Sequence, residues 1–190
     1  MCLSVTVRAL QFFFFAAAIF FLPTPLLYGA LSSGVTYSVS LVDIDGDKLS
    51  TADGRVTVVV LATSADWEKA RTVGDRIPDY CLGNPKYRMI TIIRFTRHFV
   101  IGRKIATAVV RRRVKEEAKR LQARYDAKSI VRDARKDIFT VTDFDRTVSS
   151  QLGEPAGTSD FRVFVFGPNG ELRAQWRGVP STEQLAAAIK

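Results

Sequence analysis

The stretch DGRVTVVVLATS, residues 53–64, decides the fold of this chain. Its centre, Val56 to Leu61, is an almost unbroken run of β-branched and aliphatic residues, which is typical of a strand buried on both faces. Ser64 or Asp66 follows as a candidate N-cap for a helix from about Trp67 to about Tyr80. A buried strand that runs directly into a helix begins a β-α-β unit, so the stretch predicts an α/β domain.

Apolar periodicity on either side of this stretch predicts further strands and helices in alternation. We predict strands at 35–42, 87–95, 138–141, 162–166 and 172–177, and helices at 103–125, at 144–152 and after the N-cap residue Ser181. The turn Pro168-Asn169-Gly170 makes the last two strands an antiparallel hairpin. This order of elements predicts one α/β domain with a mixed central sheet, flanking helices and an N-terminal β extension.

The acidic stretch Asp43-Ile44-Asp45-Gly46-Asp47 has a chemical interpretation and a structural one. A calcium loop needs Gly at its sixth position and Glu at its twelfth, and counting from Asp43 neither is present. Asp and Gly are also the residues that tight turns favour. We therefore predict a polar hairpin turn here.

Two parts of the sequence resemble the thioredoxin-like family, and in particular its exported redoxin branch. Residues 53–64 resemble the strand that leads to the family's active site, and residues 164–172 with 175–178 resemble its closing hairpin. The resemblance covers about residues 35–190. It implies a thioredoxin-like three-layer fold for a domain at residues 33–190, with a Cys-x-x-Cys motif where the strand meets the helix.

The sequence departs from this family at the catalytic position. Trp67-Glu68-Lys69-Ala70 stands where the family has Cys-x-x-Cys, and no proline stands at Asp160-Phe161, where the family has a cis-proline. Thiol exchange needs a thiolate activated by the helix N-terminus and a second cysteine that resolves the mixed disulfide. We therefore expect no catalytic residue and a function in binding, with Trp67 either closing a ligand cleft or packing in the core.

Cysteine and histidine, the residues that most often carry redox or zinc chemistry, are scarce. Cys2 and Cys81 are the only cysteines and His98 is the only histidine. That excludes a Cys-based zinc cluster, and we expect neither a metal nor a cofactor. Cys81 is either a half-buried apolar side chain or a redox thiol that works with a partner's cysteine in a divergent thiol-disulfide oxidoreductase.

Residues 1–32 predict a secretory signal peptide or an uncleaved N-terminal membrane anchor. Arg8 precedes an apolar run from Ala9 to Leu22, and Ala30 and Ser32 suit the −3 and −1 positions of a cleavage site. Both interpretations predict an exported protein, periplasmic or secreted, and the second keeps it at the membrane.

The net charge of +9 is concentrated in one segment. Residues 86–136 contain 17 Lys and Arg against 4 Asp and Glu, whereas the chain on either side is slightly acidic. On the helix at 103–125 we predict one apolar stripe, formed by Ile105, Val109, Val114, Ala118, Leu121 and Tyr125. The basic residues outside this stripe are our candidates for contact with an anion: Arg111, Arg112, Arg113, Lys115, Lys119, Arg120 and Arg124.

This basic helix has two interpretations. An anionic lipid surface or an acidic protein partner would be attracted to it, so a module that binds membrane surfaces is an alternative function. A solvated helix face whose charges keep the protein soluble is the other interpretation. Nucleic acid is not expected as a partner, because the chain is predicted to be exported and no aromatic residues interleave with the basic ones.

Overall fold

The computed structural model describes residues 31–95, 102–155 and 157–190. The strands are β1 (Ser40–Val42), β2 (Lys48–Ser50), β3 (Val56–Thr63), β4 (Tyr87–Arg94), β5 (Ile138–Asp143), β6 (Arg162–Phe166) and β7 (Leu172–Arg177). The helices are α1 (Trp67–Arg76), α2 (Arg103–Ala127), α3 (Thr147–Gln151) and α4 (Thr182–Ile189). The predicted signal peptide or anchor lies outside the described residues except for its last two, and His98 lies outside them too. Within the described ranges, no helix is long and apolar enough to cross a membrane.

β3 lies at the centre of a five-stranded mixed sheet with the order β5-β4-β3-β6-β7. β4 pairs with β3 in parallel from Val56–Tyr87 to Thr63–Arg94, and β5 continues the parallel part. On the other side of β3, β6 pairs antiparallel with β3, and β7 pairs antiparallel with β6. The predicted mixed sheet is therefore confirmed, and its central strand is the stretch that the sequence marks as buried.

The two faces of β3 face two separate apolar cores. Val58 and Val60 pack with residues of α1, α2 and α4, whereas Val59 and Leu61 pack with the β1–β2 hairpin and the end of α3. All four side chains are at most 3 % exposed. The chain thus forms three layers, with helices on one side of the sheet and the N-terminal β extension with α3 on the other.

The N-terminal extension pairs with two partners in succession, so the predicted strand at 35–42 is regular only in β1. Its first part lies on the β6–β7 hairpin, where the amide of Tyr37 donates to the carbonyl of Gly170 at 2.8 Å. Its second part pairs with β2, antiparallel, around the predicted turn. The carboxylate of Asp43 accepts hydrogen bonds from the amides of Asp45 and Asp47, both at 2.9 Å, which confirms the polar turn.

Two helices are shorter than the sequence predicts. α1 ends at Arg76, because Pro78 cannot continue it, and residues 79–81 form a separate 3₁₀ turn. α3 begins at Thr147, since Asp143 still belongs to β5 and its carboxylate instead accepts a hydrogen bond from the amide of Ser149 at 2.8 Å. α4 follows the prediction, with a capping box at its N-terminus.

The predicted apolar stripe of α2 is wrong at its first two positions. Ile105 is 68 % exposed and Val109 is 55 % exposed, while Ala106 and Val110, each one residue later, are buried in the core. Apolar residues stand at both pairs of positions, so helical periodicity alone does not choose between two neighbouring faces. The sheet and the helices around it select the second face.

The contact between the extension and the hairpin predicts that substitution of Gly170 by a larger residue destabilises the fold. Its φ is +84° and an added Cβ would clash with the carbonyl oxygen of Tyr37. Gly178 has a φ of +85° and open space around its Cβ position, so Gly178→Ala is the matched control. We expect Gly178→Ala to lower the free energy of unfolding by about 1–2 kcal/mol, for the left-handed backbone alone. Gly170→Ala should cost at least about 1 kcal/mol more.

Denaturant unfolding of both variants measures this difference. Equal losses in the two variants would mean that the extension does not lie against the hairpin as described.

Candidate functional site

The N-terminus of α1 holds an ion pair where the family implied by the sequence holds its thiols. Asp66 is the N-cap residue, and its carboxylate accepts hydrogen bonds from Thr63 and from Lys69, whose ammonium lies 2.7 Å away. Burial by itself raises the pKa of Asp66, but these hydrogen bonds outweigh it, so the pKa lies below its usual value. A carboxylate held ionised at this end of the helix also suits the helix dipole.

The four residues Trp67 to Ala70 point in different directions. Ala70 is buried in the core, and Glu68 and Lys69 are exposed. Trp67 is half-buried at the seam between α1 and α2, where its indole N–H lies 3.4 Å from the Glu117 carboxylate. The stretch therefore does not present one continuous reactive surface.

A strong ion pair joins α1 to α2 next to Trp67. The guanidinium of Arg71 donates to Glu117 at 2.5 and 2.9 Å and to Glu68 at 2.6 and 2.8 Å. Hydrogen bonding with Glu117 raises the pKa of Arg71 despite partial burial. The two side chains in the α1–α2 bridge, Arg71 and Glu117, are only about one fifth exposed, at 19 and 20 %.

The segment Asp160-Phe161, which stands where the family has a cis-proline, lies next to the N-terminus of α1. The ammonium of Lys69 lies 5.8 Å from the centre of the Phe161 ring, within the range of a cation–π contact. Phe161 is buried, whereas Asp160 is exposed. No cis peptide bond occurs among the described residues, so the segment takes its path without one.

Buried charges hold this segment instead. Arg94, at the end of β4, donates to the carbonyls of Thr158 and Asp160 and lies 3.6 Å from the carboxylate of Glu154. Glu154 also pairs with Arg162, at the start of β6. The side chains of Arg94 and Glu154 are both only 2 % exposed. Desolvation lowers the pKa of Arg94, although Glu154 acts in the opposite direction.

Sequence analysis missed this buried cluster of Arg94, Glu154 and Arg162. Arg94 lies far from Glu154 and Arg162 in the chain, the three carry no motif, and in the sequence Arg94 is simply one residue of the basic segment. The one available signal was an arginine at the end of an otherwise apolar strand.

Cys81 is buried in the 3₁₀ turn after α1, at 7 % exposure. Burial raises the pKa of its thiol to about 11, against a hydrogen bond with Tyr80 that acts in the opposite direction. A thiol with that pKa is almost entirely protonated at neutral pH. Its environment is that of an apolar core residue, at the opposite end of α1 from the helix N-terminus.

A cavity of about 430 Å³ lies between α1, α2 and the sheet. Its floor is the inner face of β3 and β4, including Val58, Met89 and Thr91. α1 contributes Trp67, Ala70 and Gly74 to its walls, and α2 contributes Val114 and Leu121. Cys81 also lines it. Met89 and Thr91 are only partly buried although β4 is an inner strand, because the helices leave this part of the sheet uncovered.

Six of the seven predicted anion-contact residues lie exposed on α2. They are Arg111, Arg112, Arg113, Lys115, Lys119 and Arg120. Arg124 is half-buried and pairs with Asp75 of α1 at 3.3 Å. Not all of the basic segment is surface, since Arg88 and Arg94 are buried in the sheet layer.

No group of three or more His, Cys, Asp or Glu side chains that could hold a metal occurs in the described part of the chain.

Comparison with known proteins identifies the fold. No protein-family model and no curated protein sequence matches the chain. Among solved structures, a candidate thioredoxin from Neisseria meningitidis matches with a TM-score of 0.53 at 17 % identity, over 83 % of this chain and 89 % of that one. A candidate protein disulfide isomerase from Bacteroides thetaiotaomicron matches with a TM-score of 0.50 at 11 % identity, over 83 % and 86 %.

A further match is the exposed lipoprotein thioredoxin of Streptococcus pneumoniae, with a TM-score of 0.49 at 9 % identity, over 80 % of this chain and 97 % of that one. The first two matches, with TM-scores of 0.53 and 0.50, give the chain a thioredoxin-like fold, as the resemblance in its sequence implied.

The buried cluster predicts that Glu154 contributes far more to the stability of the fold than a surface carboxylate does. Glu154→Ala leaves Arg94 and Arg162 buried without their common partner, so we expect the free energy of unfolding to fall by about 3–5 kcal/mol. Asp160→Ala is the control, since its carboxylate is exposed and lies 3.9 Å from an exposed arginine, and should cost less than about 1 kcal/mol. Denaturant unfolding compares the two, and similar losses would contradict the role given to Glu154.

Proposed function

We propose that this chain is an exported thioredoxin-fold domain that acts by binding and does not exchange thiols and disulfides. The observation that supports it is the N-terminus of α1, the position at which thioredoxins carry their cysteines. A Cys-x-x-Cys motif could start at position 66 or at position 67, and neither alignment contains a cysteine. In the first alignment, Asp66 and Lys69 form an ion pair. In the second, Trp67 lies at the seam between α1 and α2, and Ala70 is buried in the core.

The remaining parts of the site favour the same conclusion. The Asp66 carboxylate already uses the favourable end of the helix dipole and has two further hydrogen-bond partners, so it is stabilised as a structural anion. The segment around Phe161 is fixed by Arg94 and Glu154, through contacts that need no solvent access. These features support a role in binding without a nucleophile at the N-terminus of α1.

The alternative, a divergent oxidoreductase that works through Cys81, has less support. A redox thiol needs a lowered pKa and access to its substrate. Burial raises the pKa of Cys81 to about 11, and the helix N-terminus that would lower it lies at the other end of α1.

Reduction of insulin by dithiothreitol tests the proposal. We expect the full chain, purified with the N-terminus that the host leaves and identified by intact mass, to give no rate above background. Cys81→Ser should change nothing, because the thiol is not the reactive group. Clear turnover that disappears in Cys81→Ser would overturn the proposal in favour of the oxidoreductase, and peroxide treatment followed by mass spectrometry of Cys81 would then locate the oxidised sulfur.

A second candidate function is attachment to an anionic membrane surface through α2, and a structural observation favours it. Ile105 and Val109, which the sequence placed in the core, are exposed beside Arg112 and Lys115. Between residues 103 and 115 the helix carries six basic residues and no acidic one. Aliphatic side chains within a basic helix face are the combination that inserts at the boundary between anionic head groups and acyl chains.

Vesicle binding tests this second function. We expect the full chain to sediment with phosphatidylglycerol vesicles more than with phosphatidylcholine vesicles, and less as salt rises, because salt screens exposed charges. Replacing both Arg112 and Lys115 by Gln should weaken binding by roughly fivefold per residue. Lys136→Gln, at another exposed position of the same basic segment, is the control.

The aliphatic contribution has its own control. Replacing Ile105 and Val109 by Ser should weaken vesicle binding, whereas Val131→Ser should not, although Val131 is 102 % exposed. If all these variants bind alike, the N-terminal segment alone accounts for membrane attachment and α2 has no part in it.

A further inference from the structure

We propose that the cavity between α1, α2 and the sheet binds an acyl chain that carries an anionic head group. The inference deepens the proposed binding function and rests on it. It names the class of ligand and the place where that ligand lies. The chemistry fits either a free fatty acid or a single acyl chain of an anionic membrane lipid.

The interior of the cavity suits an apolar chain. Its walls include Val58, Val114, Leu121 and Met89, and a volume of about 430 Å³ falls in the range of about 300–1,000 Å³ that small-ligand pockets occupy. Met89 contributes a flexible thioether, which adapts to ligands of different shape. Apolar surface of an inner strand that remains uncovered is stabilised by a ligand that removes it from water.

The mouth of the cavity favours an anion. Residues that line the cavity and also reach solvent include Arg71, Arg120 and Arg124, which are 19, 51 and 31 % exposed. Arg71 is held by Glu68 and Glu117, and Arg124 by Asp75 at 3.3 Å and Asp79 at 3.9 Å. Among the described residues, Arg120 has one ion pair, with Asp75 at 3.9 Å. An anion at the mouth would therefore meet the Arg120 guanidinium, which is only partly neutralised.

The ion pairs between α1 and α2 favour a single chain over a peptide. Arg71 pairs with Glu117 at 2.5 Å, and Asp75 pairs with Arg124 at 3.3 Å and with Arg120 at 3.9 Å. All five side chains line the cavity. An unbranched acyl chain is slender and makes no demand on these ion pairs, whereas a peptide would bring polar backbone and side chains that compete with them.

Gly74 offers the sharpest way to test this. It lines the cavity from the last turn of α1, and a Cβ added there would meet only the flexible thioether of Met89, at 3.6 Å from its sulfur. Gly74→Leu places a side chain in the cavity and fills it. Gly74→Ala is the control, because it raises helix propensity in a similar way but adds only one methyl group. Leu121→Phe fills the cavity from the wall formed by α2 and serves as a second variant if Gly74→Leu does not fold.

The experiment follows the fluorescence of dansyl-undecanoate with the full chain, and its displacement by palmitate. We expect saturable binding at one site, weakened by about tenfold or more in Gly74→Leu and within about twofold of wild type in Gly74→Ala. Circular dichroism of each variant verifies that it is folded. Wild-type affinity in both filled variants, or no saturable binding to the wild type, would overturn the inference.

Charge is tested by the head group. Arg120→Gln should weaken displacement by palmitate about two- to fivefold and leave displacement by hexadecanol, which has no charge, unaltered. Lys119→Gln, its neighbour on the exposed side of α2, is the control and should affect neither. Equal losses for palmitate and hexadecanol in Arg120→Gln would contradict an anionic head group at this mouth.

Lysophosphatidylglycerol in place of palmitate distinguishes the two sources. Displacement by palmitate alone indicates a free fatty acid, displacement by the lysolipid alone indicates a membrane lipid, and displacement by neither overturns the inference. The insulin assay separates this inference from the proposed function. A chain that reduces no insulin and binds no acyl probe retains its proposed function and lacks only this ligand.

Discussion

β3 lies in the middle of the sheet with Val56 to Ala62 buried, and everything else in the molecule is arranged around that burial. Hydrogen bonds tie it to β4 on one edge and to β6 on the other, and its alternating side chains face two different cores. A strand in that position cannot be exposed on either face without leaving several aliphatic residues in water. α1, α2 and α4 are therefore needed on one side and the β1–β2 hairpin with α3 on the other, so the three layers follow from one apolar segment.

The parts of the fold that depend on local signals could be predicted from the sequence. β3, the β6–β7 hairpin and the capped start of α4 each carry their own pattern of residues, and the structure has them where that pattern indicates. The face of α2 could not be predicted, because Ile105 and Ala106 are both apolar and only the neighbouring elements decide which one is buried. The cluster around Glu154 could not be predicted either, because it joins residues of separate elements that come together only in the folded chain.

The positive charge of the chain divides into a structural part and a surface part. Arg88 and Arg94 are buried, and each neutralises or positions groups inside the sheet layer. Most of the exposed part lies on α2, and Ile105 and Val109 are exposed on the first half of that helix. A total of basic residues in a segment therefore overstates the charge that is available to a partner. The cavity beneath the second half of the same helix gives α2 two different surfaces along its length.

The docking of Tyr37 on Gly170 links the first described segment of the chain to almost the last. The amide of Gln175 strengthens this link by donating to the carbonyl of Leu31 at 2.7 Å. During synthesis, the core between the extension and the sheet cannot close until β6 and β7 have left the ribosome, because both strands supply its apolar residues. The first part of the N-terminal extension, around Tyr37, must wait for its partner Gly170 through the synthesis of more than a hundred residues. Contacts of such long sequence separation also slow folding after release. This topology thus leaves the emerging chain unfinished, and open to a chaperone, until β6 and β7 are available.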